Sequence, residues 1–235
     1  MENVLVTGAD RGLGLGICKA FLENGFQVFA GQFMPAWLEL SEMKTQYPEN
    51  LHLIPLDVSS MQSVKNAAEM IGRIAGTLDI VVNNAGIGGR MGTIDDEVYY
   101  EKAKNIFSVN SLGPLRVVES CLPLMKKGKK RICFISSEAG SVSVCSRTEG
   151  YSYTMSKTAL NMGIRHMHNQ LQADGYSFRL YHPGWVQSYM SGKKNTEAMV
   201  PAEDSGRVAV RQFLEASANE KGLRLKDFYE QVWPM

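Results

Sequence analysis

The sequence predicts an α/β protein, one domain in which short buried strands alternate with amphipathic helices. Three observations lead there. The chain opens on an apolar run, a glycine-rich turn and a helical segment. Short apolar runs of strand length then recur between segments of helical period. Several of those runs end in small or polar residues, as strands do where a sheet edge meets a ligand. At 235 residues the chain is long enough for one large domain, and no internal repeat or linker divides it, so the whole of 1–235 is read as one unit.

Val4, Leu5 and Val6 form the first strand. The turn Thr7-Gly8-Ala9-Asp10-Arg11-Gly12-Leu13-Gly14 follows, and a helix over 17–24 closes at Gly25. Gly8 turns where a side chain would clash. Gly12 and Gly14 let the backbone approach a ligand and the helix start close to the sheet. The free N–H groups of that helix suit a pyrophosphate. No Gly-Lys-Ser/Thr is present, which favours a dinucleotide over a nucleoside triphosphate. The second strand, 26–31, ends where a dinucleotide fold meets the adenosine ribose. An acid there would bind the ribose hydroxyls of NAD(H), but this chain has Gln32-Phe33. Arg11 is near enough to pair with a 2′-phosphate, for which its planar fork of donors is suited. The cofactor favoured is therefore NADP(H), with NAD(H) possible; the plain alternative is that Arg11 is a solvated turn residue.

A helix over 35–47 takes Trp37, Leu38, Leu40 and Met43 as its apolar side. The third strand and its exit, 51–58, finish in Asp57-Val58. Asp57 is placed to accept from an adenine amino group, or to cap the following turn. Ser59 or Ser60 begins a helix through Val64, Ala67, Ala68, Ile71 and Ile74. Strand four, 78–86, ends in Asn83-Asn84-Ala85-Gly86. Its small residues admit a cofactor and its amides brace neighbouring strand ends. A loop over 87–96 leads to a long helix ending near Cys121-Leu122-Pro123. Asn110 lies inside that helix, either as a solvent-facing residue or as an amide that opens the helix and holds water; its position alone does not decide.

Strand five, 131–137, ends in Ser136 and Ser137, and an open loop covers 138–150. The helical run over 151–162 puts Tyr153 and Lys157 four residues apart on one face. A phenol titrates near pH 10 in water, and a nearby cation favours the phenolate, so the pair can exchange a proton. On spacing alone a surface pair is the more usual reading. The preceding strand and the glycine turn tip the balance, and the competing phenol, Tyr151, has only Met155 at that spacing. Strand six, 177–182, exits through Pro183-Gly184 to Val186 and Ser188, and the polar loop around 186–205 is long enough to cover a substrate. His182 reads as structural, with no carboxylate patterned with it. Trp185, Tyr189, Phe134 and 142–145 hint at an apolar pocket. A helix over 201–214 and a last short strand with a covering tail complete the chain.

A formal net charge of +1 and the absence of a basic stripe argue against nucleic acid. Lys126, Lys127, Lys129 and Lys130 read as a solvated turn. No apolar run reaches the length of a membrane span, and the first strand begins too early for a signal peptide. Cys18, Cys121 and Cys133 fall in apolar patterns, Cys145 in a polar loop. None has metal-site spacing, so no metal is expected, and a reducing cytoplasmic setting fits.

Together these motifs resemble the classical short-chain dehydrogenase/reductase family across essentially the whole chain. The resemblance rests on the 7–14 turn, Asn83-Asn84-Ala85-Gly86, Asn110, Ser137, Tyr153-Thr154-Met155-Ser156-Lys157 and Pro183-Gly184. The runs at 151–153, 157–162 and 182–186 are similar to the carbonyl-reductase and C-factor-like branch, sniffer-type enzymes included. The resemblance implies a doubly wound parallel Rossmann-type sheet of about seven strands, order 3-2-1-4-5-6-7, with helices on both faces. It implies a carbonyl or secondary-alcohol substrate, and hydride transfer with Tyr153 as general acid or base. Lys157 would bind the nicotinamide ribose and lower the phenol's pKa. Ser137 would hold the carbonyl oxygen, and Asn110 a water beside Lys157. Gly8, Asp10, Arg11, Gly12, Leu13, Gly14, Gln32, Asp57, Val58, Asn84, Ala85, Gly86, Tyr153, Lys157, Pro183, Gly184, Val186 and Ser188 would line the cofactor.

Two departures bear on function. Ser188 stands where the family usually has threonine, and the Ser137–Tyr153 gap is longer than usual, which makes its loop a substrate-side wall near Val144 and Cys145. The family's glycine-rich ending is absent, leaving homodimer, homotetramer and monomer open. Two other readings share these residues, a cofactor-binding regulator with little turnover and an NAD-dependent alcohol dehydrogenase.

Overall fold

The computed structural model describes residues 1–89, 92–95, 100–190, 192–216 and 222–235. Part of the 87–96 loop, and Ser191 in the 186–205 loop, lie outside these.

The elements alternate as the sequence predicts. They are β1 (Asn3–Val6), α1 (Gly12–Glu23), β2 (Gln27–Gln32), α2 (Leu38–Gln46), β3 (Leu51–Pro55), α3 (Met61–Ile74) and β4 (Ile80–Asn83). Next come α4 (Tyr100–Phe107), a π-helical turn (Ser108–Leu112), α5 (Gly113–Met125), β5 (Arg131–Ile135), α6 (Tyr151–Leu171) and β6 (Ser177–His182). The chain closes with α7 (Ala202–Leu214), β7 (Leu225–Asp227) and β8 (Val232–Trp233). They build one sheet in the order β3-β2-β1-β4-β5-β6-β7-β8. The first seven strands are parallel, and β8 joins antiparallel to β7. The sheet thus has the expected order plus one strand.

Strand alternation sorts the core into two layers. Leu5, Val81, Ile132 and Phe134 face α3, α5 and α6, where Ile71, Val117, Cys121 and Ile164 are buried. Val4, Val6, Val82 and Cys133 face the other way, onto Ile17 and Phe21 of α1 and Val210 and Phe213 of α7. Helices α1 and α7 touch backbone to backbone: a Cβ at Gly206 would lie 2.5 Å from the Gly16 carbonyl carbon.

Several expectations need correction. Trp37 is the N-cap of α2, and Leu38 is 66% exposed, so only Leu40 and Met43 bury its inner face. Of the two serines expected to begin α3, Ser60 caps it by accepting from Ser63 N–H, while Ile74 points outward. The long helix ends at Met125, near Pro123 as expected. Helix α6 extends well past 162, to Leu171. Phe134 is in the core, stacked on Phe178, and lines no pocket.

Candidate active site

The parallel strands end on one edge, and the turns that leave them make the site. Gly8 sits at φ +64°, and a Cβ on it would come within 2.8 Å of Ala85 Cα. At Gly14 a Cβ would lie 2.1 Å from the Gly8 carbonyl oxygen. Only glycine fits there, so backbone N–H groups can come close to a phosphate. Asn84 braces this cradle, as its sequence suggested. Its side-chain amide donates to the carbonyls of Thr7 at 2.9 Å and Gly8 at 3.0 Å. Thr7 Oγ1 accepts from the N–H groups of Asn84 and Ala85, which ties β1 to β4.

Asp10, Asp57 and Val58, expected beside the cofactor, make structural contacts of their own. The Asp10 carboxylate is buried and accepts from Phe33 N–H at 3.0 Å and Met34 N–H at 2.7 Å, so it pins the exit of β2 to the glycine turn. Asp57 Oδ1 accepts from the N–H and hydroxyl of Ser59, the turn-capping alternative. The side chain of Val58 belongs to the core, and its carbonyl accepts from Arg116. Gln32, half-buried, ends β2 without an acid. The Arg11 guanidinium lies 4.3 Å from the Trp37 ring centroid and 5.1 Å from that of Tyr189, with no carboxylate paired to it among the described residues. The cradle and the uncommitted cation fit a dinucleotide that carries an extra phosphate.

Helix α6, the π turn and the end of β5 bring the other four predicted residues together. Lys157 is 5% exposed; its Nζ donates to the Ile135 carbonyl at 3.0 Å and lies 5.8 Å from the Tyr153 ring centroid. Burial pulls its pKa down to about 8. Tyr153 is pushed up to about 12, opposite to the direction expected from a neighbouring lysine. Burial is the largest cause; a hydrogen bond with Ser137 opposes it, and the charge on Glu138 adds to it. The competing Tyr151 starts α6, and its fourth neighbour Met155 points to solvent. Asn110 is buried, which rules out the solvent-facing reading. Its amide accepts from Ile87 N–H and donates to the Ile87 carbonyl, both at 2.9 Å, and donates to Ser156 Oγ at 3.1 Å. It does so from a π turn, where the regular helical ladder is interrupted. Ser136 points the other way, donating to Asn161 Oδ1 at 2.6 Å.

Glu138 is the residue that sequence reasoning missed. A hydroxyl has one proton and two lone pairs. Ser137 has its proton and one lone pair in use. The proton goes to Glu138 Oε2 at 2.5 Å, and the oxygen accepts from Ala139 N–H at 3.1 Å. Glu138 also pairs with Arg147 and lies 3.4 Å from His182 Nε2. Burial works to raise its pKa, but the bonds from Ser137 and Arg147 and the charge of His182 hold it below the usual carboxylate range. His182 thus does have a carboxylate, contrary to expectation; burial lowers its own pKa. The run Ser137-Glu138 beside an arginine-bearing loop was the signal available. Val142 and Val144 of that loop are exposed.

After β6, Gly184 at φ +74° turns the chain, and Pro183 accepts from the Ser205 hydroxyl. Val186 bridges to Val200, which folds the 186–200 loop back on itself. Ser188 lies over the glycine turn, 3.7 Å from a Cβ placed on Gly12. Leu13 lies in the first turn of α1, and a Cβ on Gly86 would lie 3.5 Å from Asn110 Oδ1.

A doubly wound parallel sheet with a glycine cradle and a Ser–Tyr–Lys cluster on one edge defines a dinucleotide-dependent oxidoreductase. The family model for short chain dehydrogenases matches residues 2–199, and the chain belongs to that family. The C-signal protein of Myxococcus xanthus is 39% identical over 137 residues, 58% of this chain and 80% of that protein. The NADPH-bound carbonyl reductase from chicken fatty liver superposes with a TM-score of 0.88 at 30% identity, over 100% of this chain and 99% of that one. The carbonyl reductase Sniffer of D. melanogaster has a TM-score of 0.90 over 100% of both chains; at 23% identity it shares the fold. No helix among the described residues is long and apolar enough to cross a membrane.

Proposed function

We propose that this chain is an NADP(H)-dependent reductase of aldehydes or ketones, with Tyr153 as its proton donor. The observation that carries this is the cluster itself: Ser137 beside the Tyr153 phenol, whose pKa it lowers, and the Lys157 ammonium one helical turn away. When bound, NADP(H) supplies the hydride chemistry. Gly8, Gly12 and Gly14 receive its pyrophosphate, Arg11 its 2′-phosphate, and Gly86, Gly184, Val186 and Ser188 flank its nicotinamide half. The NADPH-bound chicken reductase supports the phosphorylated form of the cofactor, as does the missing acid at Gln32.

Tyr153 donates its proton to the substrate oxygen in reduction and recovers it in oxidation. Its raised pKa keeps the phenol protonated at neutral pH, as a proton donor must be. Lys157 has one donor committed to Ile135 and two left for a ribose and for the charge that develops on Tyr153. Ser137 can donate to a substrate oxygen only after its proton turns away from Glu138. Glu138 is therefore a positioning residue for Ser137, steadied by Arg147. Asn110 holds the chain at Ile87 and reaches Ser156, the neighbour of Lys157 on α6. The 186–205 segment forms the substrate side.

The test is NADPH consumption by purified protein across aldehydes, quinones and diketones, repeated with NADH. Turnover with NADPH well above that with NADH is expected. A protein that binds NADPH yet reduces nothing in the panel would favour the regulatory reading.

A further inference from the structure

Arg11 stands out for what it does not do. Arginines near a surface usually meet a carboxylate; among the described residues Arg11 meets none, and its guanidinium packs against two aromatic rings. Those rings come from opposite parts of the chain. Trp37 enters α2 just after β2, and Tyr189 belongs to the loop that follows β6. They meet edge-on, centroids 4.8 Å apart at 63°, and the guanidinium fills the corner between them. The Trp37 wall is fixed from below. The buried Asp10 carboxylate holds the N–H groups of Phe33 and Met34, and Trp37 N–H then donates to the Met34 carbonyl. The Tyr189 wall is fixed from the side, because Asn195 N–H donates to the Ser188 carbonyl and Val186 pairs with Val200.

We propose that Trp37 and Tyr189 form an aromatic holder that presents Arg11 to the 2′-phosphate of NADP(H) and couples the 186–200 loop to the adenosine end of the cofactor. The proposal rests on the reading that Arg11 takes this phosphate. A guanidinium stacked on rings keeps its edge donors free while losing its rotational freedom beforehand, so less ordering remains for the phosphate to impose. Because one wall belongs to the substrate-side loop, a phosphate on Arg11 strengthens a contact that holds the loop down. By reciprocity, disturbing the loop at Tyr189 weakens the phosphate site. Specificity for the phosphorylated cofactor is then set by two residues that carry no charge.

The test separates this from the reading beneath it. The intact protein is titrated with 2′,5′-ADP and with 5′-AMP, which differ by the 2′-phosphate alone, by tryptophan fluorescence or calorimetry. The wild type should bind 2′,5′-ADP more tightly. Tyr189→Leu and Trp37→Leu should each weaken 2′,5′-ADP about tenfold and leave 5′-AMP within about twofold. Tyr189→Phe, which keeps the ring, should restore the preference. Tryptic cleavage after the exposed Lys193 and Lys194 should slow with 2′,5′-ADP in the wild type and not in Tyr189→Leu. A 2′-phosphate preference that survives both leucine variants overturns the holder alone. Equal loss of both ligands also overturns it, since the rings would then serve the fold. A wild type with no preference overturns the Arg11 reading, and the holder with it.

Discussion

Lys157 is buried with a single carbonyl partner, and among the described residues no carboxylate pairs with its charge. Its folded pKa, about 8, lies below the unfolded value of 10.5, so the folded state releases its proton first. Between those two values the unfolded chain binds more protons, and stability rises with pH. At neutral pH the charged lysine therefore works against the fold, by up to about 3 kcal/mol. Lys157→Met should be more stable than wild type in chemical denaturation at pH 7. That gain should fade as pH rises from 8 to 10.5, and activity should be lost throughout. A variant less stable at pH 7, with a difference that ignores pH, would mean that the lysine is an ordinary core contact. The Tyr153–Lys157 spacing was legible in the sequence because i and i+4 share a helix face. The direction of the phenol's pKa was not, because burial and Glu138 outweigh Ser137 and Arg147, and none of these follows from spacing. Glu138 was illegible for a similar reason: its partners Arg147 and His182 are joined to it by the fold, across a loop and a neighbouring strand.

At the scale of elements, the π turn is what makes the site. It lets α4 and α5 continue as one rod while turning the Asn110 amide into the interior, onto Ile87 and onto Ser156 of α6. The sequence placed an asparagine in an apolar helix and so allowed an opened ladder; only the fold decides between that and a solvent-facing side chain. Asn110→Ala strands both backbone groups of Ile87, which should cost about 1–3 kcal/mol. The denaturation midpoint should fall accordingly, and kcat should fall with little change in cofactor affinity. Unchanged stability and kcat would show that Ile87 finds other partners. Strand ends were well legible, since Asn84 and the glycines must be small or amide-bearing to close the cradle. Helix ends were less so. Pro123 tolerates the last turn of α5, and Leu38 sits outward because Trp37 turns back onto Arg11 instead of continuing the apolar face.

Over the whole molecule, the central strands could be read because β1, β4 and β5 are buried on both faces and stand out as apolar runs. The eighth, Val232–Trp233, could not: it is two residues at an edge, held by Trp233 Nε1 donating to Asp227 at 2.9 Å. The sheet brings together residues from distant segments of the chain at one edge, where we propose that carbonyl groups are reduced through Tyr153. The most direct measurement is NADPH binding and NADPH consumption on the same preparations of wild type and Tyr153→Phe, using the best substrate of the panel. The ring and its packing stay; only the transferable proton goes. NADPH affinity should be unchanged within about twofold, while turnover falls by about a hundredfold or more. Turnover near the wild-type rate in Tyr153→Phe would place the proton donor elsewhere.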